Sequence, residues 1–300
     1  MRRIALLALL VVSVASCGEE RVVTPRELAS ATEVERIAAD SETIISAGVE
    51  AWNSGAAETI RAVYTDDIVH HDDTSGMHIV GIEDVAEMAT TVMLFFPSYQ
   101  NRVTDWYIGS EDILAVYEIW NLGLGGYEFT EDDPLVEVDL LETRGDRISY
   151  WTLFHGLDSL EKRSKATPER IEEARTILSS HGSAWSSGNP RIVGDLYTSN
   201  AIREDTLFGE RLEGQEHIRS FAESFFAWYP GAQWNLRLPF GDGQGESPVT
   251  GGTYVISVSG PGGQSCEVHA AVLLKTSEDQ IVHEALYYEP ESLIRCGWAR

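Results

Sequence analysis

Four short segments of the chain carry side chains able to move protons. His70 and Asp72 lie two apart in a stretch with strand character, Ile68 to Asp72, so they project to the same side. A strand predicted over Ile113–Leu122 places Glu118 and Trp120 on one face with Leu114 and Val116. The next, Leu135–Thr143, places Glu137 and Asp139 on the face of Leu141. The last, Arg147–His155, sets Trp151 and His155 opposite Tyr150. Burial raises the pKa of a carboxyl and lowers that of an imidazole, so an enclosed pair titrates nearer neutrality. Such a pair suits proton transfer next to a carbonyl, or opening of an epoxide by activated water. The plainer alternative is that carboxylates alternating with apolar residues in an antiparallel strand face water. His70-His71-Asp72-Asp73 has metal-binding residue types but reads as a polar strand end, and no Cys/His spacing suits zinc. No metal or cofactor is expected.

The elements that must hold these groups occur twice. Ala51-Trp52-Asn53-Ser54-Gly55 returns as Ala184-Trp185-Ser186-Ser187-Gly188, an offset of 133 residues. The register persists through Tyr64-Thr65 and Tyr197-Thr198, Asp72 and Asp205, Gly81 and Gly214, Pro97 and Pro230, and Leu140-Leu141 and Leu273-Leu274. A period this long is a copied domain, not a solenoid repeat of ~20–50 residues. Each unit opens with helical sequence. In the first, Thr24-Pro25-Arg26-Glu27 reads as a helix start, with a break expected near Asp40-Ser41 and an end at Gly55. In the second, Ile171, Ala174, Ile177, Leu178 and His181 share a helical face, and Gly188-Asn189-Pro190 ends it. A short helix, a short strand, a third helix closed by proline and four strands follow. The order α-α-β-α-β-β-β-β predicts an α+β fold of two consecutive cone-shaped domains, each with helices packed on a curved antiparallel sheet.

Trp-x-x-Gly at residues 52–55, Tyr64-Thr65-Asp66-Asp67-Ile68-Val69-His70-His71-Asp72, Gly81-Ile82-Glu83-Asp84-Val85 and Gly145-Asp146-Arg147-Ile148 resemble the SnoaL-like branch of the nuclear transport factor 2-like superfamily. The second unit has matching pieces in Trp185 to Gly188, Tyr197 to Asn200, Gly214 to Ile218 and Glu278 to Ile281. The resemblance implies a cavity between sheet and helices, the usual place for a small ligand. It also implies that Asp139 stands where such families place an acid–base carboxylate. His155, at the end of the last strand, is its expected partner. Tyr64, His70, Asp72, Glu118, Trp120 and Trp151 are the expected ligand-binding residues, although the recurrence of Tyr64 as Tyr197 also fits a packing role. The superfamily includes isomerases, dehydratases, epoxide hydrolases, cyclases and proteins that only bind, so fold does not choose the chemistry. Domains of this type commonly pair sheet to sheet. The two units are therefore expected to form an intramolecular pseudo-dimer.

The copies diverge where chemistry would lie. His70 becomes Arg203, Asp139 becomes Val272, Trp151 becomes Glu284 and His155 becomes Tyr288, while Asp72 persists as Asp205. The second unit has its own polar set in His269, His283, Glu284 and Tyr288. The expected function is therefore binding of a small, partly apolar ligand. The alternatives are acid–base catalysis in the first unit, or a structural or protein-interaction role.

At the N-terminus, Arg2-Arg3, an apolar run from Ile4 to Val12 and Val14-Ala15-Ser16-Cys17 resemble a lipoprotein signal, with lipid attachment at Cys17. The apolar run is too short to span a bilayer. The expected layout is a signal over 1–16, a polar leader over 17–35, and domains over 36–162 and 163–300. Removing Arg2 and Arg3 with the signal moves the formal charge from −26 to −28. That charge repels nucleic acid. The expected location is extracytoplasmic, with a membrane held only through the lipid. Cys266 and Cys296 have no counterparts in the first unit and are expected either to form a disulfide or to remain buried thiols.

Overall fold

The computed structural model describes residues 30–72, 77–109, 112–124, 127–163, 168–241, 249–259, 265–277 and 279–298. The signal-like segment, Cys17 and the Thr24-Pro25 helix start lie outside them. The first half runs α1 (Ala31–Ser54), α2 (Ala57–Val63), β1 (Tyr64–Asp72), β2 (Met77–Val80), α3 (Ile82–Phe95), β3 (Gln100–Ile108), β4 (Asp112–Trp120), β5 (Leu122–Leu124), β6 (Tyr127–Phe129), β7 (Leu135–Arg144), β8 (Arg147–Gly156) and α4 (Leu157–Arg163). The second half runs α5 (Pro168–Ser186), α6 (Pro190–Asp195), β9 (Tyr197–Asp205), β10 (Glu210–Glu213), α7 (Gln215–Trp228), β11 (Gln233–Gly241), β12 (Val249–Ser259), β13 (Ser265–Ser277), β14 (Gln280–Tyr288) and α8 (Pro290–Cys296). The fold is α+β.

The repeated residues explain the repeated elements. Gly55 and Gly188 follow the first helix of each half at φ +60° and +67°, a left-handed conformation that suits glycine. Gly81 and Gly214 take φ +100° and +89° immediately before α3 and α7. Their amides donate to Ile68 and Ala201 carbonyls, so each glycine ties a helix start to a strand. Pro97 and Pro230 each lie two residues beyond the helix they follow, which ends at Phe95 or Trp228. Trp52 Nε1 donates to the Tyr64 hydroxyl at 2.9 Å, and Trp185 Nε1 to that of Tyr197 at 3.4 Å.

Helix α1 is continuous where a break near Asp40-Ser41 was expected. Ser41 is buried on the packed face with Ile44 and Ile45, and tertiary packing overrides the weak helix propensity of the Asp-Ser pair. The helix begins at Ala31 and is capped by Ser30, whose hydroxyl accepts the Glu33 amide at 3.1 Å.

Strands β3, β4, β7 and β8 form an antiparallel meander, and β1 joins β8 in parallel. The second half repeats this with β11, β12, β13, β14 and β9. The two meanders are hydrogen-bonded to each other at both ends. His155 and Gly156 of β8 face Gly241 and Phe240 of β11, while Tyr288 of β14 faces Ile108 of β3. The strand path β14-β13-β12-β11-β8-β7-β4-β3 thus returns to β14. One core fills the space between the meanders, with Leu114, Val116, Val138 and Phe154 meeting Phe240, Ala271, Leu273 and Tyr287. Helices cover the outer faces over two further cores. Val34, near the start of α1, is buried in the core of the second half. Cys266 of β13 and Cys296 of α8 form a disulfide, with 5.7 Å between Cα atoms.

Candidate functional site

Strands β4, β7 and β8 of the first half are covered on both faces over most of their length, and this sets the site. On β7, Val138 points into the core between the sheets, and Glu137, Asp139 and Leu141 point toward the helices. The carboxylates therefore alternate with apolar residues without facing water. They meet Trp151, Leu153 and His155 of β8, His70 and Asp72 of β1, and Trp52 and Gly48 of α1 around a cavity of about 220 Å³. Tyr64, Tyr99, Asn101, Tyr117 and Ile119 complete much of the wall.

Of the residues singled out from sequence, Asp139, His155, Tyr64, His70, Asp72 and Trp151 stand on this wall. Glu118 and Trp120 do not. Glu118 is paired with Arg102 at 2.6 Å, and the Arg102 guanidinium lies 5.4 Å from the Trp120 ring centre. The cavity takes the opposite face of β4, with Tyr117 and Ile119. Leu114 and Val116 pack between the sheets, and Glu118 and Trp120 continue their face beyond that core. Residues 113–117 of β4 are buried in succession, so hydrophobic alternation does not mark which face holds the site. Tyr117 was missed for this reason, and Tyr99 because it precedes β3 in the turn after α3.

The polar groups form two sets. His155 Nε2 lies 3.3 Å from Glu137 Oε1, so the carboxylate paired with this histidine is Glu137. Asp139 is 7 % exposed, and its Oδ1 has no hydrogen-bond partner. Burial raises the Asp139 carboxyl well above its ordinary range. Glu137 adds to the rise, and the nearby Trp151 indole opposes it. His70 stacks on Trp151 with ring centres 3.9 Å apart. Burial lowers its imidazole to about 4, although Asp72 and the Trp151 backbone act in the opposite direction. His70 Nδ1 and Trp151 Nε1 are also buried without a formed hydrogen bond. His71 lies on the other side of β1 and meets His78 of β2, so the His-His-Asp stretch does not converge on one point. Among the described residues no group of His, Cys, Asp and Glu is arranged to hold a metal ion.

The corresponding space in the second half is filled. His181 replaces Gly48, and its ring packs against Trp185, Trp234 and Tyr254. Trp234 replaces Asn101 and stacks on Trp185, with centres 5.4 Å apart. Arg203 replaces His70, with Nε 3.3 Å from Glu284 Oε1, and Glu284 replaces Trp151. Tyr197 donates to the other oxygen of Glu284. Burial pushes the Glu284 carboxyl up, but Arg203, His181 and Tyr197 outweigh it and hold it at about 2. His269 and His283 of the second polar set lie elsewhere, at 35 % and 30 % side-chain exposure, paired with Glu289 and Glu204. In sequence, His181 is one more residue on an apolar helix face. Its role as a plug follows only from its place opposite Glu284.

Residues 45–151 match the family model of the SnoaL-like domain. No curated protein matches the chain. Solved structures similar to it include a protein of ketosteroid isomerase-like fold from Catenulispora acidiphila, crystallised with trimethylamine. It shares 21 % identity and covers 45 % of this chain and 96 % of its own, at a TM-score of 0.36. An NTF2-like protein of unknown function from Burkholderia xenovorans has 22 % identity, 40 % and 85 % coverage, and a TM-score of 0.31. A candidate polyketide cyclase from Xanthomonas campestris has 16 % identity, 42 % and 96 % coverage, and a TM-score of 0.35.

Proposed function

We propose that this protein binds a small, partly apolar ligand in the cavity of its first half, and that its second half is a scaffold. The observation that carries this reading is a cavity whose wall residues carry buried polar atoms short of hydrogen bonds. Asp139 Oδ1, His70 Nδ1 and Trp151 Nε1 belong to wall residues and are buried without a well-formed hydrogen bond, with Trp151 the neighbour of both other groups. Unpaired buried polar atoms are costly, and a ligand that hydrogen-bonds them recovers that cost. The surrounding Trp52, Tyr64, Tyr99 and Tyr117 supply apolar contact. On this reading the chain carries two SnoaL-like domains, over 36–162 and 163–300, packed as an intramolecular pseudo-dimer. A signal over 1–16 and a leader over 17–35 precede them, and lipidated Cys17 tethers the protein outside the cytoplasm. Cys17→Ser then releases it into the soluble fraction, and continued membrane association of that variant argues against the tether.

The test of the cavity is mass spectrometry of small molecules retained by the purified full chain. Wild type retains a molecule that Asp139→Asn and Gly48→Phe lose while keeping native circular dichroism. A ligand retained equally by all three removes the site assignment. Gly48 suits this purpose because a Cβ built there meets nothing within 4 Å, and its counterpart His181 already fills the same place in the other half.

A second reading, acid–base catalysis in the same cavity, is favoured by the opposite displacement of two neighbouring groups. Burial moves the Asp139 carboxyl up, toward its proton-donating form, and the His70 imidazole down, toward its proton-accepting form. Turnover of a ketosteroid or epoxide panel by wild type and not by Asp139→Asn supports catalysis. Ligand retention without turnover leaves binding alone.

A further inference from the structure

Helices α4 and α8 correspond at the offset of 133 residues and dock in the same way. The Ser159 hydroxyl accepts the Val136 amide at 3.0 Å, and the Ser292 hydroxyl accepts the His269 amide at 3.0 Å. Leu160 and Leu293, the next residues, are buried. Helix α4 holds this position without a disulfide, since Asp133 and Arg163 stand in the places of Cys266 and Cys296. Docking of the helix therefore does not account for the Cys266–Cys296 bond. The segment just beyond it does.

Gly297 turns the chain at φ +70°, and the Trp298 amide donates to the Leu293 carbonyl at 2.9 Å. The Trp298 indole is 9 % exposed and packs on Tyr229, Tyr288 and Phe225, with ring centres 5.1, 6.2 and 6.5 Å apart. The corresponding residues of the first half, Phe96, His155 and Val92, all stand on the wall of the open cavity. Trp298 thus occupies, in the second half, an edge of the space that the first half leaves open. The fit is incomplete, because Trp298 Nε1 is buried without a hydrogen bond. That cost opposes the aromatic contacts, so the covalent bond at Cys296 decides whether the ring stays.

We infer that Trp298 is a redox-latched plug, and that reducing Cys266–Cys296 opens a site for a planar aromatic ring against Phe225, Tyr229 and Tyr288. The indole seated there gives the ligand class. Cys266 is half-buried between exposed Ser265 and Glu267, so an external dithiol reaches its Sγ, whereas Cys296 is buried. A thiolate of the dithiol attacks Cys266 Sγ, the Cys266–Cys296 bond breaks, and Cys296 leaves as a thiolate. The second thiolate then attacks the mixed disulfide and releases Cys266. Two electrons pass to the cysteines, which take up the two protons the dithiol gave up, and the dithiol leaves as a disulfide. Ser292 and Leu293 keep α8 in place, and only the segment from Arg295 to Trp298 moves. The site is separate from the first-half cavity, so neither reading depends on the other.

The experiment compares the full chain, oxidised and after treatment with dithiothreitol, by hydrogen exchange and by titration with 2-naphthol and its puckered, saturated counterpart decahydro-2-naphthol. On reduction the amides of Gly297 and Trp298 are expected to exchange at least about tenfold faster, while that of His269, bonded to Ser292, keeps its protection. Naphthol is expected to bind the reduced chain at least about tenfold more tightly than the oxidised chain, and to exceed decahydronaphthol by a similar factor. Trp298→Ala is expected to bind naphthol without reduction. The reduced Gly48→Phe chain, with its first cavity blocked, is expected to bind it as the reduced wild type does. Equal exchange and equal binding in the two redox states overturn the inference, since packing alone then holds the plug. Loss of protection at His269 also overturns it, because the disulfide then docks the whole helix. Faster exchange without naphthol binding, or binding abolished by Gly48→Phe, overturns the site. Equal binding of decahydronaphthol overturns the ligand class.

Discussion

His70 and Gly48 show how single positions set the properties of the site. His70 is held neutral by burial, with its pKa lowered from 6.5 to about 4. A group depressed in the folded state stabilises the fold above its unfolded pKa, and that contribution is lost as pH falls through the folded value. Between about pH 6.5 and 4, the protein therefore loses about 3 kcal/mol through this residue. Asp139 acts in the opposite sense, since its raised pKa favours the fold as pH falls. The two are separated by comparing wild type with His70→Phe, which keeps a ring against Trp151. Urea denaturation across that range is expected to show a shallower acid loss in the variant, and parallel curves would contradict the assignment. Gly48 lies within α1 with free space where a Cβ would be. Gly48→Ala is expected to raise stability by about 0.5–1 kcal/mol in the same measurement, since helical glycine carries an entropic cost that alanine does not.

At the scale of elements, the meander was readable and its faces only partly so. Strands β3, β4, β7 and β8 follow from alternation and from the turn residues between them. The inward set on β7 was legible because Glu137, Asp139 and Leu141 are spaced by two. On β4 the rule gives no answer. Its two faces pack against a sheet and a helical layer, so Val116 and Tyr117 are equally buried and Glu118 marks only the rim. Strands β2 and β10, the β5–β6 hairpin, and helices α4 and α8 are too short to carry a periodic signal. Helix α8 has a feature with a measurable consequence. The Cys266–Cys296 disulfide ties it to β13 across 30 residues of sequence. Closing a loop of that length contributes about 3–4 kcal/mol. Thermal denaturation of Cys266→Ser with Cys296→Ser is expected to show a clear drop in Tm in the second half, and an unchanged Tm would mean that packing of Leu293 and Ser292 holds α8 unaided.

Across the whole molecule, stability depends on the filled half. Glu284, Arg203 and His181 are each at most 3 % exposed, and Glu284 is the countercharge of the group. Removing one partner of a buried pair leaves the other charge uncompensated, a loss of about 3–5 kcal/mol. Glu284→Gln is therefore expected to destabilise the protein by that amount in chemical denaturation, and a loss below about 1 kcal/mol would show that Arg203 finds another partner or water. The joining of β8 to β11 and of β14 to β3 has another consequence. Two separate chains would meet only as often as their concentration allowed, whereas tethered halves meet at any dilution. A symmetric pair of identical chains must also repeat every substitution on both sides. Here Gly48 and His181 occupy matched positions in one molecule. Covalent linkage has released the symmetry, so one cavity can be given up to rigidity while the other remains free to change its ligand.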